Sequence, residues 1–502
     1  MALARPTLTD DARAVILGHL DGLAVPKEDL HPAPREDAQL GDDAAGGAPR
    51  ERLREAARQA PPRVRGLPFV GSALPLIREP LGFLERVARE HGDVVEFDLL
   101  GDRVLLFNHP DAIDEMLITE REKLVKDSLT RRISLVVGNG LLVSDGAFWR
   151  KQRRLAQPAF HRQRIESYAE TMVRFTERAV AQWREGEERD THEDLMELTL
   201  DIVARTLFGV EIGEVSRKIA WSLEVLMDRF ASLQMFAPIA LPTPFNRRAK
   251  RAIAQLDEIV YGIIRERRKT GDTGDLLSML LAAAGGDDDG GMTDKQLRDE
   301  SITLLLAGHE TTALTLTFAF DLLGRDPKAT ARLGREIDDV LGDRPATAAD
   351  LSRLEYAHGV IRESMRLFPP AWAVGREAIA PCNVAGHRIE PGTQLWAAQW
   401  VVHRDPRWFP DPLSFRPERW ANDFSKTLPK HAYFPFGGGP RICIGNAFAM
   451  MEAVLLLVTI ARRCSIELLS KKPLDLVPSI TIRPKGGLRT RVRARPGSVR
   501  PS

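Results

Sequence analysis

Long segments with the apolar spacing of helices alternate with short β-rich segments along this chain. The helical spacing covers Ile165–Arg268, with a proline-containing break at residues 237–244. A long helix is predicted from Asp294 to Leu323, because Thr293 and the glutamine three residues after it form a capping box. Asn446–Arg463 also has helix-forming composition. These segments predict a fold that is mainly α.

Short alternating segments predict a few strands beside these helices. Val94–Phe97 and Arg103–Phe107 are rich in β-branched and aromatic residues, and Gly101 lies in the turn between them, so a hairpin is expected. Val384–Ile389 and Gly392–Trp396 alternate in a similar way. The predicted fold class is therefore mainly α with small β-sheets.

Within the first 58 residues, the run Gly41–Gly47 has no apolar period, and only one short helix, Asp10–Leu20 with Thr9 as its cap, could form. These 58 residues mix alanine, charged residues, proline and glycine, a composition that buries too little apolar surface to fold. We expect residues 1–58 to be a mostly disordered extension and residues 59–502 to form one domain. The apolar patch Ala14–Leu17 is too short for a membrane-spanning helix, which needs about 20 apolar residues. We therefore expect no integral membrane anchor.

Charge and cysteine content narrow the functional class. Across 502 residues, 71 lysines and arginines nearly balance 70 aspartates and glutamates, so the overall charge does not favour nucleic acid or an anionic membrane as a partner. The three cysteines, Cys382, Cys443 and Cys464, are too few and too scattered for a disulfide framework or a clustered zinc site. These features favour a cytoplasmic protein of the bacterial type.

The segment Phe436–Gly445 has the composition of a loop that presents a cysteine thiolate to haem iron. Three glycines precede Cys443 and let the backbone turn with positive φ and pass close to a flat porphyrin. The helix predicted just after the loop favours a thiolate, through the partial positive charge of its N-terminus. Arg441 suits a haem propionate, Phe436 is placed to shield the sulfur, and Gly445 permits a close approach of helix and haem. The alternative is a glycine-rich surface loop with an inert, buried cysteine.

A second motif, Ala307–Thr312, follows the most apolar part of the long helix. Glycine weakens a helix interior, and Thr311 can donate a hydrogen bond to the carbonyl of Ala307. A local opening is expected, in which Glu310 and Thr311 would lead protons to dioxygen over the iron. His309 is expected to face away from the haem. The alternative is a buried helix with a weak point.

Both motifs resemble those of the cytochrome P-450 monooxygenases. Phe436–Gly445 matches the signature Phe-x-x-Gly-x-Arg-x-Cys-x-Gly at every specified position, and Ala307–Thr311 matches Ala/Gly-Gly-x-Asp/Glu-Thr. The resemblance covers nearly all of the chain after the extension. It implies a P-450 fold, with heme b between the long helix and the cysteine loop. It also implies insertion of one atom of dioxygen into a substrate, with Cys443 as the axial ligand of the iron and Glu310 and Thr311 governing protonation.

The resemblance implies further contacts with the haem. Trp149 and Arg153, four residues apart on one helical face, resemble the family's Trp-x-x-x-Arg pair that holds a propionate, and Arg376 resembles a third propionate contact. Without the resemblance, these residues would be interpreted as a surface basic helix with a half-buried tryptophan and as a surface arginine. A buried ion triad that only supports the fold is matched by three residues: Glu363, Arg366 and Arg419.

The electron donor and the substrate are expected to come from outside the chain. The segment after Gly445 is too short for a flavin or ferredoxin module, so electrons would come from a ferredoxin or flavodoxin-type donor with its reductase. That donor is expected to dock on a basic patch formed by Arg150, Lys151, Arg154 and Lys430.

The substrate is expected to be apolar, such as a fatty acid or terpenoid, because the predicted pocket segments are aliphatic or aromatic. The pocket candidates are Phe230, Leu233, Met235, Phe236 and Ile480–Ile482. Two alternative functions stay open. One is a peroxide-driven hydroxylase, against which the acid and alcohol pair argues, and the other is a haem-thiolate sensor without turnover.

Overall fold

The computed structural model describes residues 60–495, apart from residues 69, 212, 233, 235–237 and 285–291. The predicted disordered extension, residues 1–58, lies outside the described residues. So do three of the pocket candidates: Leu233, Met235 and Phe236.

Helices make up most of the described chain, which confirms the prediction of a mainly α fold. In chain order they are α1 (Ala73–Arg78), α2 (Pro80–His91), α3 (Pro110–Asp114), α4 (Ser128–Arg132), α5 (Ser134–Val137), α6 (Gly146–Ala156), α7 (Arg162–Val180), α8 (Thr191–Phe208), α9 (Gly213–Phe230), α10 (Pro244–Thr270), α11 (Leu276–Ala284), α12 (Asp294–Arg325), α13 (Pro327–Leu341), α14 (Glu355–Leu367), α15 (Gln399–Val402), α16 (Phe424–Thr427) and α17 (Asn446–Arg463). Short 3-10 turns lie at Arg121–Lys123, Gln157–Phe160, Ala348–Arg353, Pro417–Trp420 and Gly439–Arg441, and a π-helical turn lies at Glu115–Thr119.

The described strands form four small sheets. The strands are β1 (Val94–Leu99), β2 (Asp102–Phe107), β3 (Leu124–Lys126), β4 (Glu188–Asp190), β5 (Val374–Ala378), β6 (Cys382–Val384), β7 (His387–Ile389), β8 (Gln394–Ala397), β9 (Cys464–Leu468), β10 (Leu476–Pro478), β11 (Ile482–Pro484) and β12 (Arg489–Ala494). The largest sheet has the order β1-β2-β8-β5-β3, and β4-β12-β9 form a second sheet. Two hairpins, β6-β7 and β10-β11, complete the set.

The predicted N-terminal hairpin is confirmed as β1 and β2. Leu99 pairs with Asp102, so the turn consists of two residues. Both of them, Leu100 and Gly101, have positive φ angles of 54° and 97°. Two positive φ angles in a two-residue loop suit the right-handed twist of the paired strands.

Helix α12 lies at the centre of the fold and contacts α8, α10, α14 and α17. It begins as predicted: the Gln296 amide donates to Thr293 Oγ1 at 3.2 Å, and the Thr293 amide donates to Gln296 Oε1 at 2.6 Å. This reciprocal capping box fixes the start of the helix. The helix ends at Arg325, slightly beyond the predicted Leu323.

The segment Ile165–Arg268 is more divided than its apolar pattern indicates. Strand β4 separates α7 from α8, and α8 is capped at its C-terminus by Gly209, which has a left-handed φ of 62°. A Cβ at Gly209 would lie 2.3 Å from Asp275 Oδ2, so both the conformation and the packing require glycine. The predicted break at residues 237–244 is therefore accompanied by two others that the pattern did not reveal.

The buried ion triad around Glu363 is confirmed. Glu363 Oε1 accepts hydrogen bonds from Arg366 Nη2 at 2.8 Å and from Arg419 Nε at 2.9 Å. Trp420 Nε1 also donates to Glu363 Oε2, at 2.9 Å, a contact that the sequence did not predict. Full pairing is what allows a carboxylate to be this deeply buried. The triad fastens α14 to the turn that leads towards the cysteine loop.

Candidate functional site

The loop that carries Cys443 joins the Gly439–Arg441 turn to the N-terminus of α17. The Cys443 amide donates to the carbonyl of Phe436 at 2.9 Å, which closes the loop on itself. Of the three cysteines, Cys443 is exposed, whereas Cys382 and Cys464 are buried. Cys443 therefore lies next to the first turn of α17, as the sequence predicts.

The three glycines before Cys443 have different structural roles. Gly437 and Gly439 have φ angles of 72° and 65°, in the region that favours glycine. Gly438 is extended instead, with a φ of −158°, and a Cβ there would lie 2.3 Å from His431 Nε2. The prediction that all three turn with positive φ is therefore wrong for Gly438, which is needed for close packing.

Groups around the Cys443 sulfur act on its pKa in opposite directions. Although the residue presents exposed surface, protein atoms surround the sulfur, and this burial raises the pKa of the thiol. A hydrogen bond from the Gly445 amide and the charge of Arg153 lower it by less. The loop amide therefore favours the thiolate, as predicted of this end of the helix, but its effect on the pKa is smaller than that of burial. A coordinated metal cation removes a thiol proton outright.

Three cationic side chains converge beside the cysteine loop. The register of β3 with β5 places Lys126 opposite Arg376, and Arg441 interacts electrostatically with both. Burial, together with the neighbouring arginines, lowers the pKa of Lys126 to about 7 and that of Arg441 to about 10. Asp145 forms an ion pair with Arg441 and accepts a hydrogen bond from the Lys126 amide at 3.0 Å, and Asp127 lies nearby.

The charges of this cluster fit an anionic ligand. With Lys126 protonated, the three cations and the neighbouring Arg153 carry four formal positive charges, whereas the two aspartates carry two negative charges, so up to two positive charges are in excess. Arg441 Nη1 is buried and has no hydrogen-bond partner among the described residues. Two propionates supply two negative charges and several hydrogen-bond acceptors. The residues present therefore fit heme b.

Trp149 and Arg153 lie on α6 and contact the cysteine loop. The Arg441 guanidinium lies over the Trp149 ring, 4.1 Å from its centroid. Arg153 Nη1 donates to the carbonyl of Ile442 at 2.9 Å, one residue before Cys443. In this structure the pair holds the loop that carries the thiol, and its contact with a propionate stays a prediction.

A short accessible face interrupts the otherwise buried α12. Between Leu297 and Asp321, only Ala307, Gly308 and Thr311 are not buried. Thr311 Oγ1 donates to the carbonyl of Ala307 at 2.8 Å, which confirms the predicted hydrogen bond. Ala307 and Thr311 are one helical turn apart, so a methyl group and a hydroxyl share this face.

The helix continues without interruption through this face, so the expected local opening is not seen. A Cβ on Gly308 would lie 3.1 Å from Val203 Cγ2, and the glycine therefore serves the close approach of α8. His309 is buried, and its Nδ1 contacts the carbonyl of Leu305 at 2.9 Å. Its side chain does not share the accessible face, in agreement with the prediction.

Glu310 lies beside the accessible face, but its side chain has other partners. Its Oε1 accepts hydrogen bonds from Arg483 Nε at 2.5 Å and from Thr481 Oγ1 at 2.7 Å. Burial raises the pKa of Glu310, but Arg483, with a smaller contribution from the Thr481 hydrogen bond, lowers it below its ordinary value. Glu310 is therefore a buried carboxylate that is bound to the β10–β11 hairpin.

Thr312 lies on the buried side of α12. Its hydroxyl donates to the carbonyl of Gly308 at 3.4 Å and lies close to Glu452 of α17. Burial raises the pKa of Glu452 to about 8. Of the two neighbouring threonines, Thr311 is therefore the one on the accessible face, as the sequence analysis expects.

Sequence reasoning missed three residues of this site: Lys126, Asp145 and Arg483. Lys126 stands in a strand of three residues, and only the pairing of β3 with β5 places it beside Arg376. Arg483 is separated from Glu310 by 173 residues. Neither β3 nor β5 was predicted as a strand, so no feature of the sequence located Lys126.

Together, this fold and this site define a haem-thiolate protein. The chain matches the family model Cytochrome P450 over residues 61–489. It is 40% identical over 405 residues to Cyclooctatin synthase from Streptomyces melanosporofaciens, which covers 79% of this chain and 88% of the relative. It is 39% identical over 403 residues to Cyclooctat-9-en-7-ol 5-monooxygenase from the same organism, with 79% and 87% covered. Pentalenene oxygenase from Streptomyces avermitilis is 33% identical over 423 residues, with 83% and 92% covered. The chain belongs to the cytochrome P450 family.

Family membership establishes the class of reaction. The chain is a haem-thiolate monooxygenase that acts on apolar substrates, and it needs dioxygen and a redox partner. The family uses haem whose iron is bound by a cysteine thiolate. No helix in the described part of the chain is long and apolar enough to cross a membrane.

Proposed function

We propose that Cys443 is the axial ligand of heme b in this chain, and that Arg376, Arg441 and Lys126 hold the propionates. The proposal depends on one observation: an exposed cysteine at a helix N-terminus lies near a buried cluster with excess positive charge and an unpartnered guanidinium nitrogen. Trp149 and Arg153 support this arrangement through their contacts with the loop. Haem bound through a thiolate supplies an electron-rich iron that favours cleavage of the O–O bond of dioxygen.

Phe436 and Gly445 complete the surroundings of the sulfur. Phe436 is partly buried against the main core, and its carbonyl receives the Cys443 amide. A Cβ at Gly445 would lie 3.7 Å from Phe160 Cε1 and 4.0 Å from Cys443 Sγ, which is ordinary packing distance. Gly445 therefore leaves space beside the sulfur, and its amide donates a hydrogen bond to the sulfur.

Thr311 and Glu310 are the proposed proton-handling residues. At rest the Thr311 hydroxyl proton is donated to the Ala307 carbonyl, so its lone pairs remain available to a donor on the accessible face. Glu310 is ionised near neutral pH, because Arg483 stabilises its negative charge. Glu310 would therefore accept a proton and pass it on. The Thr311 hydroxyl would position the group that finally donates the proton on the accessible face.

The proposed substrates are cyclic terpenoids. The names of three relatives that cover most of this chain refer to cyclooctatin, cyclooctat-9-en-7-ol and pentalenene. The Ala307 methyl group on the accessible face of α12 suits an apolar molecule. Phe230, one of the predicted pocket residues, is buried in the main core, and its contact with a substrate stays a prediction.

A ferredoxin or flavodoxin with its reductase is the proposed electron donor. Arg150, Lys151, Arg154 and Lys430 are all exposed, and Lys430 also pairs with Asp114 at 2.9 Å. A basic surface of this kind attracts an acidic carrier.

A cytoplasmic location and a single haem domain over residues 59–502 complete the proposal. The absence of disulfides among the described residues supports the location, and the family match over residues 61–489 supports the domain.

Titration of the haem spin state with cyclooctat-9-en-7-ol and pentalenene tests the substrate class, with lauric acid as an unbranched comparison. We expect a low-spin to high-spin shift with at least one terpenoid, and a product that contains one atom of isotopically heavy dioxygen when a ferredoxin and its reductase supply electrons. A shift with lauric acid alone would move the substrate class to fatty acids. Equal turnover with hydrogen peroxide and no donor would make the enzyme peroxide-driven.

A further inference from the structure

The β10–β11 hairpin is anchored at its tip and at its return strand. Trp372 Nε1 donates to the carbonyl of Ser479 at 2.8 Å, and the Ile482 amide donates to the carbonyl of Pro370 at 3.0 Å. The Ile482 side chain is fully buried and belongs to the same apolar cluster as Leu314 of α12. The hairpin is therefore held between α12 and the chain that follows α14.

Two side chains of this hairpin bind a single carboxylate oxygen. Arg483 Nε and Thr481 Oγ1 lie 2.5 Å and 2.7 Å from Oε1 of Glu310. Glu310 is 2% exposed, and the Arg483 side chain is 18% exposed. Charge-assisted hydrogen bonds that are shielded from water in this way are strong and directional. The orientation of Glu310 is therefore determined by residues far along the chain.

The hairpin also provides the dominant charge near Glu310. His309 on α12 and His192 on α8 are the titratable groups that share this environment. Burial lowers the pKa of both histidines, that of His192 to about 4, so both are neutral near pH 7. Asp190 acts on His192 and raises its pKa by less than burial lowers it. Arg483 is consequently the cation that stabilises the carboxylate.

A residue that relays protons must change its charge during each cycle. Glu310 can take up a proton only by losing the attraction of Arg483. We propose that Arg483 and Thr481 are positioning residues of the monooxygenase: they hold Glu310 ionised and turned towards the hairpin, so that the hairpin sets how readily this acid accepts a proton beside the accessible face of α12. The inference rests on the proposed role of Glu310 and extends it to a segment outside the long helix.

Infrared titration of the haem-loaded enzyme, without turnover, tests this directly. The carboxyl stretch of protonated Glu310 is identified as the band that is missing in Glu310→Gln. We expect Arg483→Met to raise the pH at which this band appears by about 1 to 3 pH units, since a neighbouring opposite charge lowers a carboxyl pKa by about that much. Arg483→Lys should restore most of the difference, because it restores the charge.

Arg325→Met is a matched control. Arg325 binds Asp321 of the same helix at 2.7 Å and donates to the carbonyl of Lys471 at 2.8 Å, in the segment that leads to the same hairpin. It should leave the Glu310 band in place. An unchanged band in Arg483→Met, or an equal shift in Arg325→Met, would overturn the proposal.

A second variant and a second measurement complete the test. Thr481→Val removes only the hydrogen bond from a neutral hydroxyl to Glu310, so it should shift the band in the same direction but by less. This variant decides the question if Arg483→Met does not bind haem. An unshifted band in Thr481→Val would then count against the proposal. During turnover, Arg483→Met should lower the product formed per electron several-fold, and Arg483→Lys should recover it. If Glu310→Gln leaves this ratio unchanged, the proposed role of Glu310 fails, whereas the infrared shift reports on Arg483 independently.

Discussion

The guanidinium of Arg441 lies over the indole ring of Trp149, 4.1 Å from its centroid, and also pairs with the carboxylate of Asp145. Trp149→Leu should weaken haem retention, because a cation–π contact that contributes about 0.5–2 kcal/mol no longer orients the guanidinium. The rate of haem transfer to an apo-globin measures this loss. Trp183→Leu is the control, since its ring also lies beneath an arginine, Arg189, on another surface. Equal loss of haem in both variants would contradict the prediction.

Replacement of the proposed ligand should remove the spectral signature of a thiolate-bound haem. We expect Cys443→Ala to abolish the long-wavelength band of the reduced carbon monoxide complex. Cys382→Ser and Cys464→Ser should keep it, because both cysteines are buried away from the loop. The spectrum of each purified variant decides the matter, and an intact band in Cys443→Ala would refute the assignment of the ligand.

Thr311→Ala should uncouple electron transfer from product formation. The hydroxyl is lost from the accessible face of α12, so most reducing equivalents should appear as hydrogen peroxide while the carbon monoxide spectrum and substrate affinity persist. Thr312→Ala should have a smaller effect, since Thr312 faces Glu452. Thr315→Ala is a further control, because this buried threonine donates to the Thr311 carbonyl in the same pattern, at 2.8 Å. Collapse of coupling in Thr312→Ala alone would show that the wrong threonine is assigned.

The indole of Trp420 should contribute measurably to stability. Trp420→Phe retains an aromatic ring but removes one of the two donors that lie 2.9 Å from Glu363 Oε2, the other being Arg366 Nε. Hydrogen bonds to charged groups are worth about 1.5–3 kcal/mol, so the free energy of unfolding in urea should fall by about that amount. Trp408→Phe should cost less, because Trp408 Nε1 has no hydrogen-bond partner among the described residues. The reverse order of the two variants would contradict this account.

Reduction by an acidic carrier should slow as ionic strength rises. Exposed charges are screened over about 10 Å at 0.1 M salt. Lys151→Glu and Arg154→Glu should lower the second-order rate of reduction by a ferredoxin and flatten its dependence on salt. Lys250→Glu makes the same charge change at an exposed position on α10 and should behave like the wild type. Stopped-flow reduction at several salt concentrations provides the comparison, and identical slopes for all variants would remove the proposed docking surface.

The features that were predictable from the sequence depend on residues that are close together in the chain. The capping box of α12 needs only Thr293 and Gln296, and α17 was predicted with its observed bounds because composition and the preceding loop define it. The Glu363 triad was predictable only because two separate motifs, one with Glu363 and Arg366 and one with Arg419, each resemble a motif of the family. The pairing of Glu310 with Arg483 was not predictable, since 173 residues separate them and only the placement of the hairpin brings them together.

Glycine shows a second limit of sequence reasoning. A run of glycines indicates that something excludes side chains, but not whether the cause is the φ angle or a neighbour. Gly437 has a positive φ, whereas Gly438 is extended and leaves room for His431. Gly308 looked like a gap for a ligand, yet it faces Val203. Such distinctions depend on the tertiary neighbour, which composition does not contain.

The excess positive charge around Lys126 and Arg376 affects how stable this edge of the sheet is before haem binds. Strand β3, which carries Lys126, is the edge strand of its sheet and pairs only with β5. Repulsion between Lys126 and Arg376 therefore acts where the sheet has one partner strand to hold it. We therefore expect a chain without haem to open first at this edge, and limited proteolysis with and without added haem would check whether the first cut falls there. Bound haem would then protect this edge, since its two carboxylates balance the positive charge, and a ligand that binds only the folded chain stabilises it.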